Sequence, residues 1–172
     1  MPAYTHGHHD SVLRSHRWRT AQNSAAHLLP HVRPTDRLLD VGAGPGTITA
    51  DLAGLVAEVV ATEIGEAELG LSRTTAAERG VTNIEFRVAD VHALDFPDDS
   101  FDLIFHPVSN CYVEEVEPIF RECFRILRRG GALLAGFDNG INFMVGLDEK
   151  TIENTMPFNP LKNEAQLRQL EQ

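Results

Sequence analysis

Apolar and polar positions follow two rhythms along this chain, and the rhythms take turns. Residues 11–33 place Val12, Trp18, Ala25, Leu28 and Leu29 broadly on one side of a helix, with Arg14, Arg17, Arg19 and Gln22 elsewhere, and Pro34 stops it. A short apolar run at 37–41 enters a glycine-rich turn and then a helix over about 47–56. Val59, Val60 and Ala61 mark a second strand at 58–63. A helix over 66–79, with Leu69, Leu71 and Ala76 inward, ends at Gly80. Residues 84–89 alternate as a third strand, and 101–105 form a fourth after the turn Pro97-Asp98-Asp99-Ser100. Residues 114–128 read as a helix with Val116, Phe120, Cys123, Phe124 and Leu127 inward. Pro118 falls in its first turn, where a missing N–H costs little. Gly130-Gly131 ends that helix, and 132–137 is a fifth strand.

Strand–helix alternation with short links predicts an α/β domain: a doubly wound, mainly parallel sheet of about five strands, helices on both faces, right-handed crossovers. Ligands bind such sheets beyond the carboxyl ends of the strands, beside the first strand. After 137 the chain is polar, with short amphipathic pieces at 148–155 and 163–170 and no Val/Ile-rich pair of strands. The fifth strand is therefore expected at an edge, where it either self-associates or is covered by residues 139–172.

Composition narrows the function classes. At 172 residues the chain can bury a core without disulfide or metal staples, and 42% hydrophobic with 23% charged residues is globular rather than disordered. No apolar run approaches the roughly 20 residues that span a bilayer, and no apolar leader opens the chain, so no membrane partner and a cytoplasmic setting are expected. Cys111 and Cys123 make no disulfide framework. A net charge of −10 argues against nucleic acid as a partner. The five Arg and two Asp of residues 1–37 read as a solvated helix face. His6, His8 and His9 lack the spaced companions of a metal site and read as a mobile segment.

Leu38-Leu39-Asp40-Val41-Gly42-Ala43-Gly44-Pro45-Gly46-Thr47 carries the most information. A plain strand-to-helix turn needs one glycine; three at alternate positions let the backbone turn sharply and let a ligand approach the main chain. A dinucleotide site wants G-x-G-x-x-G/A with pyrophosphate at the helix N-terminus, but Thr47 stands where its last Gly or Ala belongs. The second strand ends in Glu63, 17 residues beyond Gly46, where a carboxylate can accept two hydroxyl hydrogen bonds. The third ends in Val88-Ala89-Asp90-Val91.

The turn, the acid, Asp90 and the Gly-Gly after Leu127-Arg128-Arg129 together resemble the class I S-adenosylmethionine-dependent methyltransferases of small-molecule type, over about residues 11–138. The resemblance implies a Rossmann-like fold with strand order 3-2-1-4-5-7-6, of which the sixth and seventh strands are not found here. It implies S-adenosyl-L-methionine held by Asp40, Gly42, Ala43, Gly44, Gly46, Glu63, Ile64, Asp90 and Val91. Glu63 would take the ribose hydroxyls, Ile64 the adenine face, and Asp90 with the Val91 N–H the adenine edge. His106-Pro107-Val108-Ser109-Asn110-Cys111-Tyr112 falls where the family faces its methyl group. His106 and Tyr112 are the catalytic candidates, His106 either as a base or as a cofactor or strand-end contact. Trp18, in the segment the family places over the cofactor, is the candidate cover. Asp98, Asp99 and Asp102 read as turn and cap residues, and Cys111 lacks an activating partner.

The domain reading is a lid at 1–34, a cofactor-binding core at 35–138 and an incomplete tail at 139–172. Residues 1–105 hold 14 Ala, two Asn and no Lys, and residues 106–172 hold three Ala, six Asn and both Lys. The two parts resemble different bacterial methyltransferase groups, so a chimeric, C-terminally truncated chain stands beside ordinary regional bias. The functional expectation is direct in-line methyl transfer to a small-molecule acceptor, which needs alignment more than a dedicated base. Two alternatives stay open: a NAD-dependent oxidoreductase, and a cofactor-binding protein without turnover.

Overall fold

The computed structural model describes residues 18–108, 110, 113, 115–137, 144–146, 150–153 and 162–170. The chain divides into two compact units, Met1–Gly136 and Phe137–Gln172.

The first unit is built on five strands: β1 (Arg37–Val41), β2 (Glu58–Glu63), β3 (Ile84–Val88), β4 (Phe101–His106) and β5 (Leu127–Ala135). They lie in the order β3-β2-β1-β4-β5, every neighbouring pair parallel. This is the doubly wound α/β sheet expected. Among the described residues no strand pairs with the outer edge of β5.

Period-2 alternation splits the central strands between two cores. Leu38, Val59, Leu103 and Phe105 pack with Ala21, Ala25, Leu28, Leu52 and Val56. Leu39, Val41, Val60 and Ile104 pack with Leu94, Phe96, Ile119, Cys123 and Ile126. Among the described residues, the α-helices of this unit are α1 (Ala21–Ser24), α2 (Thr47–Ala53), α3 (Glu66–Glu78) and α4 (Glu117–Ile126).

Three local expectations are corrected. The helix expected over 11–33 is, from residue 18 onward, one turn at α1 and a 3-10 turn at Leu29–His31. Thr20 and Asn23 cap each other's backbone N–H groups, and Pro30 removes a helical donor, so no long helix passes through. Trp18 is accordingly 72% exposed, not part of an apolar face.

Second, α4 buries Ile119, Cys123 and Ile126, while Phe124 is 83% exposed. With 3.6 residues per turn, Phe124 lies well round the helix from Ile119. Leu127 already has extended backbone and opens β5. Third, Gly130-Gly131 lies inside β5, opposite a register irregularity between Phe101 and Leu103, with Gly130 at φ +84°. The amphipathic piece at 148–155 contributes Ile152 to an antiparallel bridge with Val145. It is closed by Gly146 N–H to Thr151 O at 2.8 Å and Glu153 N–H to Met144 O at 2.8 Å. The second expected piece is α5 (Glu164–Leu170), capped by Asn163 Oδ1.

Side chains tie the amino ends of the strands together. Asp102 accepts from the Arg37 N–H at 2.8 Å and from Arg128 at 2.7 Å. Arg125 joins α4 to the preceding loop through the Phe96 and Leu94 carbonyls and Asp98. The carboxylates expected as turn and cap residues thus have structural partners.

The reassigned face of α4 makes a prediction. Ile119→Ala should cost roughly 2–5 kcal/mol of stability. Phe124→Ala should stay within about 0.5 kcal/mol of wild type. Urea unfolding of the two variants checks this; equal losses would restore Phe124 to the core.

Candidate functional site

The site grows from the end of β1. Gly42, Gly44 and Gly46 have φ of +74°, +56° and +76°, a region side chains rarely enter. The N–H groups of Gly42 and Ala43 donate to the Thr62 carbonyl at 2.9 and 3.1 Å, which folds the turn against the end of β2. Gly46 meets α3 so closely that a Cβ would stand 2.8 Å from Ser72 Cα. This close approach explains why Ser72, rather than Leu71, is buried on that helix. The Thr75 hydroxyl donates to the Pro45 carbonyl at 2.6 Å.

Glu63 closes the turn from the other side. Its Oε1 accepts from the Gly44 N–H at 2.6 Å, and Oε2 from its neighbour Ile64 at 3.4 Å. Burial pushes its carboxyl above the usual range, against the pull of those two N–H groups. Each carboxylate oxygen has lone pairs left over for hydroxyl donors. Ile64 beside it is 41% exposed, an apolar surface at the mouth of the turn.

Asp40, expected among the cofactor contacts, is 2% exposed and lies beneath the turn. The Thr49 hydroxyl donates to its Oδ2 at 2.6 Å. Burial pushes its carboxyl up to about 7. It supports the turn from below, with Oδ2 held by the Thr49 hydroxyl.

Asp90 stands at the end of β3, more than half exposed, and accepts from the His92 N–H at 2.9 Å and the His92 ring at 2.8 Å. Those bonds hold its carboxyl below the usual range, so it is an acceptor at neutral pH. Val91 packs against the α4-side core.

His106, the last residue of β4, is fully buried, and neither ring nitrogen has a partner among the described residues. Burial pushes its pKa down to about 4. A neutral imidazole of that acidity is a weak proton acceptor at pH 7 and offers one hydrogen-bond donor and one acceptor. Asn110, which sequence reasoning missed, is 6% exposed; its Nδ2 donates to the Gly136 carbonyl at 3.0 Å, and its Oδ1 is unpartnered among the described residues. Tyr112, Cys111, His6, His8 and His9 lie outside the described residues. Trp18 is described only as an exposed residue whose carbonyl accepts from Asn23.

The structure therefore brings together, at the carboxyl ends of β1 and β2, a backbone cradle without side chains and a carboxylate with spare acceptor capacity. A family model described as a methyltransferase domain matches residues 39–135, from the middle of β1 to the end of β5. The chain belongs to the class I S-adenosylmethionine-dependent methyltransferases. An uncharacterized methyltransferase of Schizosaccharomyces pombe is 31% identical over 136 residues, covering 74% of this chain and 49% of that protein. A solved S-adenosylmethionine-dependent methyltransferase of Mesorhizobium loti aligns with a TM-score of 0.63 at 26% identity, over 73% of this chain and 56% of that one. A solved cyclase, SpnF, aligns with a TM-score of 0.59 at 27% identity, over 69% of this chain and 47% of that one. The chain spans about half the length of the curated relatives it matches. The oxidoreductase alternative finds no support among these relatives. No helix among the described residues is long and apolar enough to cross a membrane.

One feature of this site can be tested without a ligand. Asp40 keeps its proton to about pH 7 when folded, but ionises near 3.8 when unfolded. The native state then binds more protons, so this group's contribution is full below pH 4 and is lost as pH rises to about 7. Asp40→Asn keeps an acceptor for Thr49 and removes that loss. It should match wild type at pH 4 and exceed it at pH 8, by at most roughly 4 kcal/mol. Urea titrations at the two pH values check it; an Asn variant less stable at pH 8 would show that Asp40 is needed as an anion.

Proposed function

We propose that this chain binds S-adenosyl-L-methionine at the β1–β2 cradle and directs its methyl group to a small-molecule acceptor by in-line transfer. The observation that carries the reading is the Glu63 carboxylate anchored at 2.6 Å on the Gly44 N–H, beside three glycines of positive φ. The cradle fits the cofactor's amino-acid tail and ribose because nothing projects from it, and the acid fits paired hydroxyls. Ile64 and Asp90 offer an apolar surface and an acceptor, as an adenine ring with its amino group requires. When bound, the cofactor supplies an electrophilic methyl on a sulfonium. The protein's part is to orient the ligand on Glu63, to hold the turn rigid on Thr62 and Ser72, and to keep water from the carboxyl end of β4.

The second reading, cofactor binding without methyl turnover, has a specific observation in its favour: SpnF, a cyclase, shares the fold. Fold and cofactor do not fix chemistry. Calorimetric titration with S-adenosylhomocysteine tests binding, and a methyl-transfer screen over small-molecule acceptors separates the two readings.

Glu63→Ala removes two charge-assisted hydrogen bonds, on the order of 1.5–3 kcal/mol each, and should raise the Kd for S-adenosylhomocysteine at least tenfold while the fold persists. An unchanged Kd in a folded variant removes Glu63 from the site. Gly44→Val should abolish binding, because a β-branched residue is strained at φ +56° and its side chain would enter the cradle. The raised pKa of Glu63 adds a sign. Hydroxyl donors favour the ionised carboxylate, so binding should release a proton and tighten as pH rises through the titration of free Glu63. Calorimetry in two buffers of different ionisation enthalpy measures that proton, and Glu63→Gln should erase it.

A further inference from the structure

The segments that leave the carboxyl ends of the strands share a property of charge. Residues 38–72, 88–120 and 130–149 contain no Lys or Arg at all. Of the cations that border these segments, Arg73 is held by Glu66 and the Phe86 ring, and Arg87 by Glu85 and the Phe96 ring. Cations gather instead at the amino end of the sheet. There Arg33 and Arg129, with His31, Asp36 and Asp102, line a groove of about 270 Å³.

In these segments His106 and Asn110 are buried polar side chains, and the His106 ring nitrogens and Asn110 Oδ1 have no hydrogen-bond partner among the described residues. The Gly136 carbonyl can only accept, so the Asn110 amide must turn its Nδ2 toward it and leave Oδ1 as an acceptor. Neutral His106 offers one ring N–H and one lone-pair nitrogen. Gly136 also donates its own N–H to the His106 carbonyl at 3.1 Å. A Cβ on Gly136 would collide with the Pro107 carbonyl, so the chain after β4 is fitted closely against the end of β5. Buried orphan polar atoms are rare in folded proteins and costly, and two neighbouring residues carrying three of them call for a partner.

We propose that His106 and Asn110 bind the methyl acceptor, and that they select a neutral molecule carrying a hydroxyl group over anionic acceptors. This deepens the methyltransferase reading and rests on it. Two acceptor atoms and one donor complement a hydroxyl, which donates through its proton and accepts through its oxygen. A carboxylate or phosphate brings only acceptors to two acceptors, with no cation in the adjoining strand-end segments to offset its charge. Both side chains are buried, so a ligand engages them only with a local rearrangement at the carboxyl end of β4. His106 and Asn110 act here as specificity-determining residues.

The test uses the whole chain saturated with S-adenosylhomocysteine, with phenol as the neutral probe and benzoate as its anionic counterpart. Imidazole 15N resonances of His106 should shift and saturate with phenol, and benzoate should bind at least tenfold more weakly. His106→Phe and Asn110→Leu should each raise the phenol Kd tenfold or more while the S-adenosylhomocysteine Kd stays within twofold. That retained Kd also reports that each variant folds, and the wild-type resonances decide the matter if a variant does not. Benzoate binding as tightly as phenol overturns the proposal, as does phenol binding that leaves the His106 resonances unmoved. It also fails if S-adenosylhomocysteine alone produces the shift and His106→Phe loses it, since His106 then serves the cofactor. Failure of wild type to bind S-adenosylhomocysteine, seen before any probe is added, strikes the cofactor reading itself and this proposal with it.

Discussion

The 2.6 Å hydrogen bond from the Gly44 N–H to Glu63 joins the turn after β1 to the last residue of β2. It can form only because the parallel register sets Val41 opposite Thr62, so that turn and acid leave the sheet side by side. A slip of one residue would turn Glu63 to the other face and bury a polar residue in the core. The same register brings the Thr62 carbonyl under the N–H groups of Gly42 and Ala43. Sheet pairing, turn conformation and the placement of the candidate ligand acid are thus one constraint, met at one point.

That point is electrostatically uncomfortable, which is part of how it works. Burial raises the carboxyls of both Asp40 and Glu63, and each feels the other or a neighbouring acid. Asp40 answers by sitting below the turn on the Thr49 hydroxyl. Glu63 keeps lone pairs free toward solvent. A half-buried carboxylate held by backbone N–H groups does not need to reorganise when donors arrive, so little of the binding energy is spent on ordering it.

The strands, their parallel pairing and the cradle were legible in the sequence because each rests on local signals: apolar runs of strand length, glycines at alternate positions, an acid at a strand end. Errors arose where tertiary partners decide. Phe124 fitted a helical stripe, yet the sheet reads the stripe of Ile119, Cys123 and Ile126. Pro30 lay in plain view inside the expected helix at 11–33, and weighing it against the apolar spacing would have broken that helix. Asp40 sits in a glycine-turn motif, and its enclosure beneath the turn follows from alternation along β1: Leu38 shares its face, and that face is core.

Asn110 and Gly136 mark the harder boundary. Nothing in their sequence neighbourhood announces them, because their link spans 26 residues and joins two strand ends that only the finished sheet makes adjacent. The cofactor half of such a site is written in backbone conformation, which glycine reveals residue by residue. The acceptor half depends on side chains set by contacts between β4 and β5. This difference explains how one family model can run from Leu39 to Ala135 while the relatives include a cyclase. The cradle can be inherited unchanged, because it is built from main chain and one acid. The end of β4 is free to change its chemistry, because no hydrogen bond or register of the cradle passes through His106 or Asn110.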